Sequence, residues 1–167
     1  MNLKVEAHGL DEIKVELDRF GKEAQDALKV AVRETSRWAN KQAMGKIAKV
    51  TGVQRTALRG RQFLKVTVKD AYGRIWMGFN PLKLSRMNPR KTAGGVTAGP
   101  AKAPGAFLMK HGSGKVSVFK RVGSKRLPIE KPTFDISKGQ AVAQEVAESL
   151  NAVLTENFRN AFYKETK

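Results

Sequence analysis

The architecture of this chain follows from residues 22–52, which read KEAQDALKVAVRETSRWANKQAMGKIAKVTG. Small and apolar side chains recur here at steps of three and four residues, the period of one face of an α-helix. Because Gly is favoured just after a helix, Thr51 and Gly52 are expected to end it. The stretch predicts a long amphipathic helix over 22–50, whose repeating positions are Ala24, Ala27, Leu28, Ala31, Thr35, Trp38, Gln42, Ile47 and Val50.

A second long helix is predicted near the C-terminus. Asp135 or Ser137 can cap its start, because a short polar side chain accepts a hydrogen bond from the free N–H groups of the first turn. One apolar stripe follows at helical spacing, comprising Ile136, Val142, Val146, Leu150, Val153, Leu154, Phe158, Ala161 and Phe162. Such a face must pack against another part of the chain.

Period-two alternation between the two helices predicts antiparallel strands. Residues 64–69 and 74–79 alternate apolar and polar side chains on either side of a polar turn, which indicates a hairpin. Further extended segments are expected at 106–109, 115–121 and 127–129. The pattern predicts an α+β fold, in which a small antiparallel sheet is packed by two long amphipathic helices.

Residues 80–105 read NPLKLSRMNPRKTAGGVTAGPAKAPG and are predicted to form a long exposed loop. The stretch has four prolines, four glycines, five bases and no acid, a composition that buries little apolar area. Long loops in compact domains are usually functional, so this one is a candidate binding arm. All 167 residues are expected to form one domain, with a short strand at Met1–Ala7, a helical turn around 13–17 and a short basic helix or turn at 53–61.

The excess positive charge lies in the middle of the chain. Lys and Arg number 32 against 15 Asp and Glu, which gives a formal net charge of +17. Between Lys41 and Lys131 there are 21 Lys or Arg and only two acids, Asp70 and Glu130, a net of +19. Since a solvated surface normally mixes both signs, this stretch predicts a face that meets a negatively charged partner. Solubility alone is the alternative explanation.

Residues that carry enzyme chemistry are sparse. The chain has no Cys, which excludes a disulfide framework and any metal site with Cys ligands. His8 and His111 lack partners at metal-ligand spacing, and no G-x-S-x-G nucleophile motif is present. Residues 112–115, GSGK, lack the spacing of a phosphate-binding P-loop. We therefore predict no enzyme activity, no metal and no cofactor.

Membrane and export signals are also missing from the sequence. No apolar run reaches the roughly 20 residues of a membrane span, and the N-terminus lacks the apolar core of a signal peptide. The chain is therefore expected to be soluble and unexported and to contact no membrane.

Four motifs, in a fixed order, carry a resemblance to a known family. They are residues 38–59 with the TGV turn at 51–53, RIWMGFNP at 74–81 followed by Leu82 and Leu84, PGAF at 104–107, and VFKR at 118–121 leading to RLPI at 126–129. In this order and spacing they resemble the phage minor tail protein Z family, the tail-completion proteins of lambda-like long-tailed phages. The resemblance spans roughly residues 25–163.

The resemblance implies a structural virion protein that is assembled in the host cytoplasm and completes the tail at its head-proximal end. It also implies a homo-oligomeric ring, expected to be a hexamer, that contacts the tail terminator, the tail tube and the head-tail connector proteins. Candidate residues for binding an acidic protein surface, or DNA in the channel, are Lys83, Arg86, Arg90, Lys91, Lys102, Arg55, Arg59 and Arg61. Candidate core or interface residues of the motifs are Trp38, Trp76, Phe79, Phe107, Phe119 and Leu127.

A non-sequence-specific nucleic-acid-binding protein with a basic arm is the alternative function. Lys and Arg that neutralise phosphates bind any duplex at low salt. The chain lacks the aromatic RNP pattern, the GXXG loop and a helix-turn-helix, so no module that reads sequence is predicted. Aromatic residues beside the basic stretch, Phe63 and Trp76 among them, alternate along predicted strands and are interpreted as core or interface residues rather than as base-stacking platforms.

Overall fold

The structure, a computed structural model, describes residues 19, 21–67 and 72–165. It has the predicted α+β fold, in which two long helices accompany small antiparallel sheets. The strand predicted at Met1–Ala7 and the helical turn predicted around 13–17 lie outside the described residues.

Helices and short antiparallel strands succeed one another along the described chain. The helices are α1 (Lys22–Thr51), α2 (Arg55–Leu58), α3 (Gly139–Glu148) and α4 (Leu150–Glu165), with 3-10 turns at Arg59–Arg61 and Leu84–Arg86. The strands are β1 (Gln62–Thr67), β2 (Tyr72–Met77), β3 (Leu82–Lys83), β4 (Arg90–Thr92), β5 (Gly95–Ala98), β6 (Ala101–Pro104), β7 (Ala106–Lys110), β8 (Val116–Arg121), β9 (Ile129–Glu130) and β10 (Thr133–Phe134). They pair as β1-β2, β3-β10, β4-β5-β6 and β7-β8-β9.

Helix α1 ends one residue beyond the predicted helix. Gly52 follows it with a φ of 68°, in the left-handed region that Gly adopts without steric cost. The hydroxyl of Thr51 donates a 2.7 Å hydrogen bond to the carbonyl of Ile47 in the last turn. The buried face is built mainly of alanines, so neighbouring elements can approach the helix axis closely; it comprises Ala24, Ala27, Ala31, Ala39, Ala43 and Ile47.

The predicted hairpin is confirmed and lies on α1. Its strands begin two residues earlier than expected, and its turn, residues 68–71, lies outside the described residues. Gly73 marks a close approach to the helix, because a Cβ at this position would lie 2.2 Å from Oγ of Ser36. Ile75 and Met77 pack into the core on the same inner face. The alternate side chains of both strands therefore face outward.

Residues 80–105 contain four strands, so the prediction of a long exposed loop is wrong. Strands β4, β5 and β6 form an antiparallel meander that lies on the core. Small apolar residues alternate along β5 and β6, and Pro100 falls between the strands where no ladder hydrogen bond is needed. Side chains this small let the meander approach the core closely despite its loop-like composition. The buried residues of the whole stretch 80–105 are Leu82, Leu84, Met87, Val96, Ala98, Ala101 and Ala103.

The sheet β7-β8-β9 confirms the strands expected at 106–109 and 115–121. Its inner face, with Ala106, Leu108 and Val118, packs against the same core as the meander. Strand β9 holds only two residues and begins after Pro128. Leu127 precedes it and is 65% exposed, which corrects its assignment to the core and leaves only a role at an interface.

The C-terminal apolar stripe forms two helices, α3 and α4, instead of the one that was predicted. The first begins at Gly139, beyond both predicted caps. Oδ1 of Asp135 accepts a 2.9 Å hydrogen bond from the N–H of Ser137, so these residues form a turn before the helix. Ser149 separates the two helices, and its hydroxyl donates to the carbonyl of Glu145.

Two apolar clusters hold the fold together. The larger one lies between the second half of α1, helix α3 and the inner faces of the sheets. The smaller one joins the first half of α1 to α4, where the rings of Phe158 and Phe162 stack with centroids 5.8 Å apart. Nδ2 of Asn157 donates a 2.9 Å hydrogen bond to Oγ1 of Thr35 beside this cluster. Helix α1 is therefore the support shared by the sheets and the C-terminal helices.

Candidate functional site

The predicted binding cations lie at the surface of the fold, between residues 55 and 102. Seven of the eight have exposed side chains, and Arg61 is half-buried. The opposite faces of the strands that carry several of them hold the core. The fold therefore presents these cations on an ordered surface instead of a free arm.

The meander brings two of the predicted residues into one row. Its register pairs Arg90 with Thr97 and Thr97 with Lys102, so all three share the outer face. Two strand spacings of about 4.8 Å separate the two cations. Lys91 lies next to Arg90 on the edge strand β4, and Lys83 lies on the separate β3-β10 sheet. The row is a small cationic ridge across the outer face.

Arginines gather at the turn that leads into β1. Nη2 of Arg61 donates a 2.9 Å hydrogen bond to the carbonyl of Pro81. A Cβ at Gly60 would lie 2.5 Å from Nη1 of Arg86, so the Arg86 guanidinium lies directly over this glycine. Arg59 and Arg61 flank the same glycine in the chain, and we call Arg59, Arg61 and Arg86 the arginine cluster.

Arg55 is the remaining predicted cation and sits on α2, apart from the meander. A Cβ at Gly45 would lie 2.9 Å from its Nη2, so the guanidinium packs against α1. This contact fixes the direction of the exposed side chain without neutralising its charge.

Ion pairs in the described part of the chain lie on the helices. Lys29 pairs with Asp26, whose pKa is lowered by the hydrogen bond and the charge of Lys29. Two further pairings join Glu34 to the arginines beside it on α1 and Lys46 to Glu145 of α3. Across the described residues between 55 and 131, no Lys or Arg forms an ion pair. The positive charge of the sheet surface is therefore not neutralised by an acidic side chain of the described residues.

The predicted aromatic residues occupy different environments. Phe79 is 6% exposed in the larger core, and Trp38 packs at the edge of that core. Phe107 is half-buried and Phe119 is buried; they lie opposite each other on the face of β7 and β8 that points away from Ala106 and Val118, with ring centroids 6.2 Å apart. Trp76 is half-buried on the outer face of the β1-β2 hairpin.

Cations cover the phenylalanine pair on β7 and β8. The guanidinium carbon of Arg121 lies 5.8 Å from the Phe107 ring centroid, and Nζ of Lys131 lies 5.4 Å from that of Phe119. Both distances suit cation-π attraction. These cations shield an apolar surface of their own chain, which separates them from the free cations of the meander.

Sequence reasoning missed one group of surface residues as a site. Phe63 is 56% exposed, and Lys65 and Arg74 are exposed on the same outer face of the hairpin. The period-two pattern contained the signal, because placing Leu64 inward turns its neighbours outward. Phe63 was instead interpreted as a core or interface residue.

Other chemistry on the described chain is limited. On the β7-β8 hairpin, Nε2 of the exposed His111 lies 2.9 Å from Oγ of the half-buried Ser117. Among residues 19, 21–67 and 72–165, no three His, Asp or Glu side chains gather where they could hold a metal ion. In the same ranges, no helix combines the length and the apolarity needed to cross a membrane.

Comparison of the chain with protein-family models, with curated proteins and with solved structures finds no match.

Proposed function

We propose that this chain is a structural virion protein that completes a phage tail at its head-proximal end. Its copies form a ring, with six subunits by analogy with the symmetry of such tails. The ring joins the tail tube and the tail terminator to the head-tail connector. The basis for this assignment is the sequence resemblance carried by residues 38–59, 74–81, 104–107 and 118–129.

The unpaired cations of the sheet surface are the observation that supports this proposal most directly. A face rich in one sign of charge repels itself in the free protein and gains attraction when it meets an acidic surface. The row of Arg90 and Lys102 is held on strands whose other face is buried, so little ordering is needed on binding. Such a surface suits docking between parts of a particle.

Protein partners fit this role better than the genome for most of these cations. DNA must pass through a tail without being held, whereas six copies of a strongly basic face in the channel would bind the duplex through its phosphates. The meander therefore faces acidic surfaces of neighbouring tail or connector subunits. Arg55, Arg59 and Arg61 are the candidates for contact with DNA at the mouth of the channel.

The location of the protein is tested on purified particles. Mass spectrometry should find the chain in mature virions, and subnanometre imaging of the neck should place it as a ring between the tube and the connector. Its absence from virions, or density elsewhere in the particle, would refute the assignment.

The docking role is tested by removing the positive charges of residues 83–91. A variant in which Lys83, Arg86, Arg90 and Lys91 are all replaced by Gln should lower the yield of heads joined to tails, because the acidic partner loses its counter-charges. The matched control replaces four exposed lysines that lie on helices or directly before one and removes the same formal charge; these are Lys41, Lys49, Lys138 and Lys164. Equal joining yields for the two variants would contradict the docking role.

A further inference from the structure

We infer that the outer face of the β1-β2 hairpin binds single-stranded nucleic acid, with bases stacked on its aromatic side chains and phosphates paired with its cations. This surface is formed by Phe63, Lys65, Arg74 and Trp76, and we call it the outer hairpin face. Such binding does not require the proposed role in a phage tail.

Two aromatic side chains form one row of the outer hairpin face. The register sets Phe63 directly opposite Trp76. Phe63 is 56% exposed, although its ring has a large apolar area that water solvates poorly. A Cβ at Gly78 would lie 2.8 Å from Cη2 and 3.3 Å from Cζ2 of Trp76, so the indole lies against that glycine. The hairpin thus carries two aromatic side chains that the core does not use.

Two cations form the next row. Lys65 and Arg74 are exposed and directly opposite each other in the register. Like charges in this position destabilise a strand pair. Within the described residues neither takes part in an ion pair. An anion bound beside Lys65 and Arg74 would replace this repulsion with attraction. The distance between this row and the aromatic row is two residues of strand, about 7 Å.

More cations lie beyond the other end of the aromatic row. Arg61 stands two positions before Phe63, and the Arg86 guanidinium lies over Gly60 next to it in the chain. Nε of Arg61 is buried and lacks a hydrogen-bond partner among the described atoms. The turn before β1 therefore adds cations on one side of the aromatic row, and Lys65 and Arg74 lie on the other side. Proteins that hold single strands combine the same two elements, a basic track for phosphates and aromatic side chains for bases.

Other occupants match this surface less well. A duplex keeps its bases stacked on one another, which leaves Phe63 and Trp76 without a partner. Acidic proteins could pair with the cations, but aromatic anchors at protein interfaces usually fill pockets, whereas these lie on an open two-stranded surface. A second copy of the chain offers little negative charge, since each copy carries 32 Lys and Arg against 15 Asp and Glu.

Fluorescence anisotropy with a labelled oligothymidylate tests the inference at near-physiological salt. Phe63→Ala should weaken binding by about 5- to 150-fold, the loss that one stacked base represents. Replacing Lys65 and Arg74 together with Gln should weaken binding and reduce the salt slope by about 1.4, as expected for two phosphates of a single strand. A duplex of the same length should bind wild type and Phe63→Ala equally.

Tryptophan emission supplies a second readout. Binding should quench the emission of Trp76, and Trp76→Phe should abolish the quenching while retaining most of the affinity, because a ring remains for stacking. Trp38 at the edge of the core would then be the remaining emitter.

Tyr163→Ala is the matched control, because Tyr163 is an aromatic residue on α4 that is 66% exposed. Its affinity for the oligothymidylate should equal that of wild type, and thermal unfolding should show that both alanine variants are folded. The inference is overturned if Phe63→Ala and Tyr163→Ala bind equally well, or if the duplex loses as much affinity as the single strand. It is also overturned if polyglutamate binds more tightly than the oligonucleotide and depends on Phe63, since the partner would then be an acidic protein.

Discussion

Replacing Gly95 with Ala should disrupt the β4-β5-β6 meander, whereas the same change at the adjacent Gly94 should be tolerated. Gly95 opens β5 opposite Pro104, and its φ of 147° is one that residues with a Cβ rarely adopt. At Gly94 a Cβ would meet no atom within 4 Å. The N–H of Gly105 donates a 2.9 Å hydrogen bond to the Gly94 carbonyl and closes the meander at this point.

The expected cost at position 95 has two parts. A strained φ costs about 1–3 kcal/mol. A Cβ would also lie 2.3 Å from the carbonyl oxygen of Ala103 and 2.9 Å from the nitrogen of Gly105. Both are backbone atoms, so no change of rotamer relieves the overlap, and overpacking of this kind costs about 1–3 kcal/mol. The sum of about 2–6 kcal/mol is a large part of a typical free energy of unfolding, about 5–15 kcal/mol.

Thermal unfolding followed by tryptophan fluorescence measures this difference. Gly95→Ala should lower the midpoint by about 5–20 °C, since each kcal/mol corresponds to about 2–4 °C for a chain of this size. Gly94→Ala should change the free energy of unfolding by about 0.5 kcal/mol or less. Trypsin should cut after Arg90, Lys91 and Lys102 faster in Gly95→Ala than in wild type, because local unfolding exposes the backbone.

Wild-type midpoints for both variants would refute this reasoning. A segment without fixed structure accepts alanine at either glycine, so equal behaviour would mean that residues 80–105 form the exposed loop that their composition predicts. A lower midpoint for both variants would instead mean that a Cβ at Gly94 also meets neighbouring atoms.

Two further predictions concern the C-terminal half. Phe158→Ala should reduce the free energy of unfolding by about 3–5 kcal/mol, because the ring is 3% exposed and packs against the alanines of α1. Tyr163→Ala on the same helix should be nearly neutral, since that side chain is 66% exposed. Urea unfolding of the two variants measures the difference. Hydrogen bonds from the N–H and the hydroxyl of Ser137 lower the pKa of Asp135 below its usual 3.8. These hydrogen bonds therefore stabilise the fold above pH 3.8, and their contribution is lost as the pH falls through the folded-state pKa. Asp135→Asn should therefore weaken the acid dependence of the urea midpoint, and an unchanged acid dependence would contradict this account.

The elements predicted correctly are those whose signal is local. Helix α1 carries its period over thirty residues, and the β1-β2 hairpin carries alternation over two strands. The meander was missed because proline and glycine mark both loops and the ends of short strands. Only contact with the core distinguishes the two cases, and Val96 at 1% exposure shows that this contact is made.

The candidate site was predicted in part for the same reason. Exposure of cations such as Arg90 and Lys102 could be expected, since charged side chains rarely bury without a partner. The sequence could not predict that Arg90 and Lys102 share one row, because the row depends on a strand register that pairs both residues with Thr97. The residues of the outer hairpin face were visible in the alternation, but Phe63 was assigned by the usual preference of aromatics for the interior.

The amino-acid sequence alone determined the α+β class, the two apolar helical faces and the concentration of positive charge between them, because each depends on composition or on a short repeat. Only the tertiary structure decided that residues 80–105 lie on the core, that the C-terminal stripe divides into α3 and α4, and that Arg86 lies over Gly60. These features arise from contacts between residues far apart in the chain. Such contacts depend on how closely small side chains let the elements approach one another, and no local pattern records that distance.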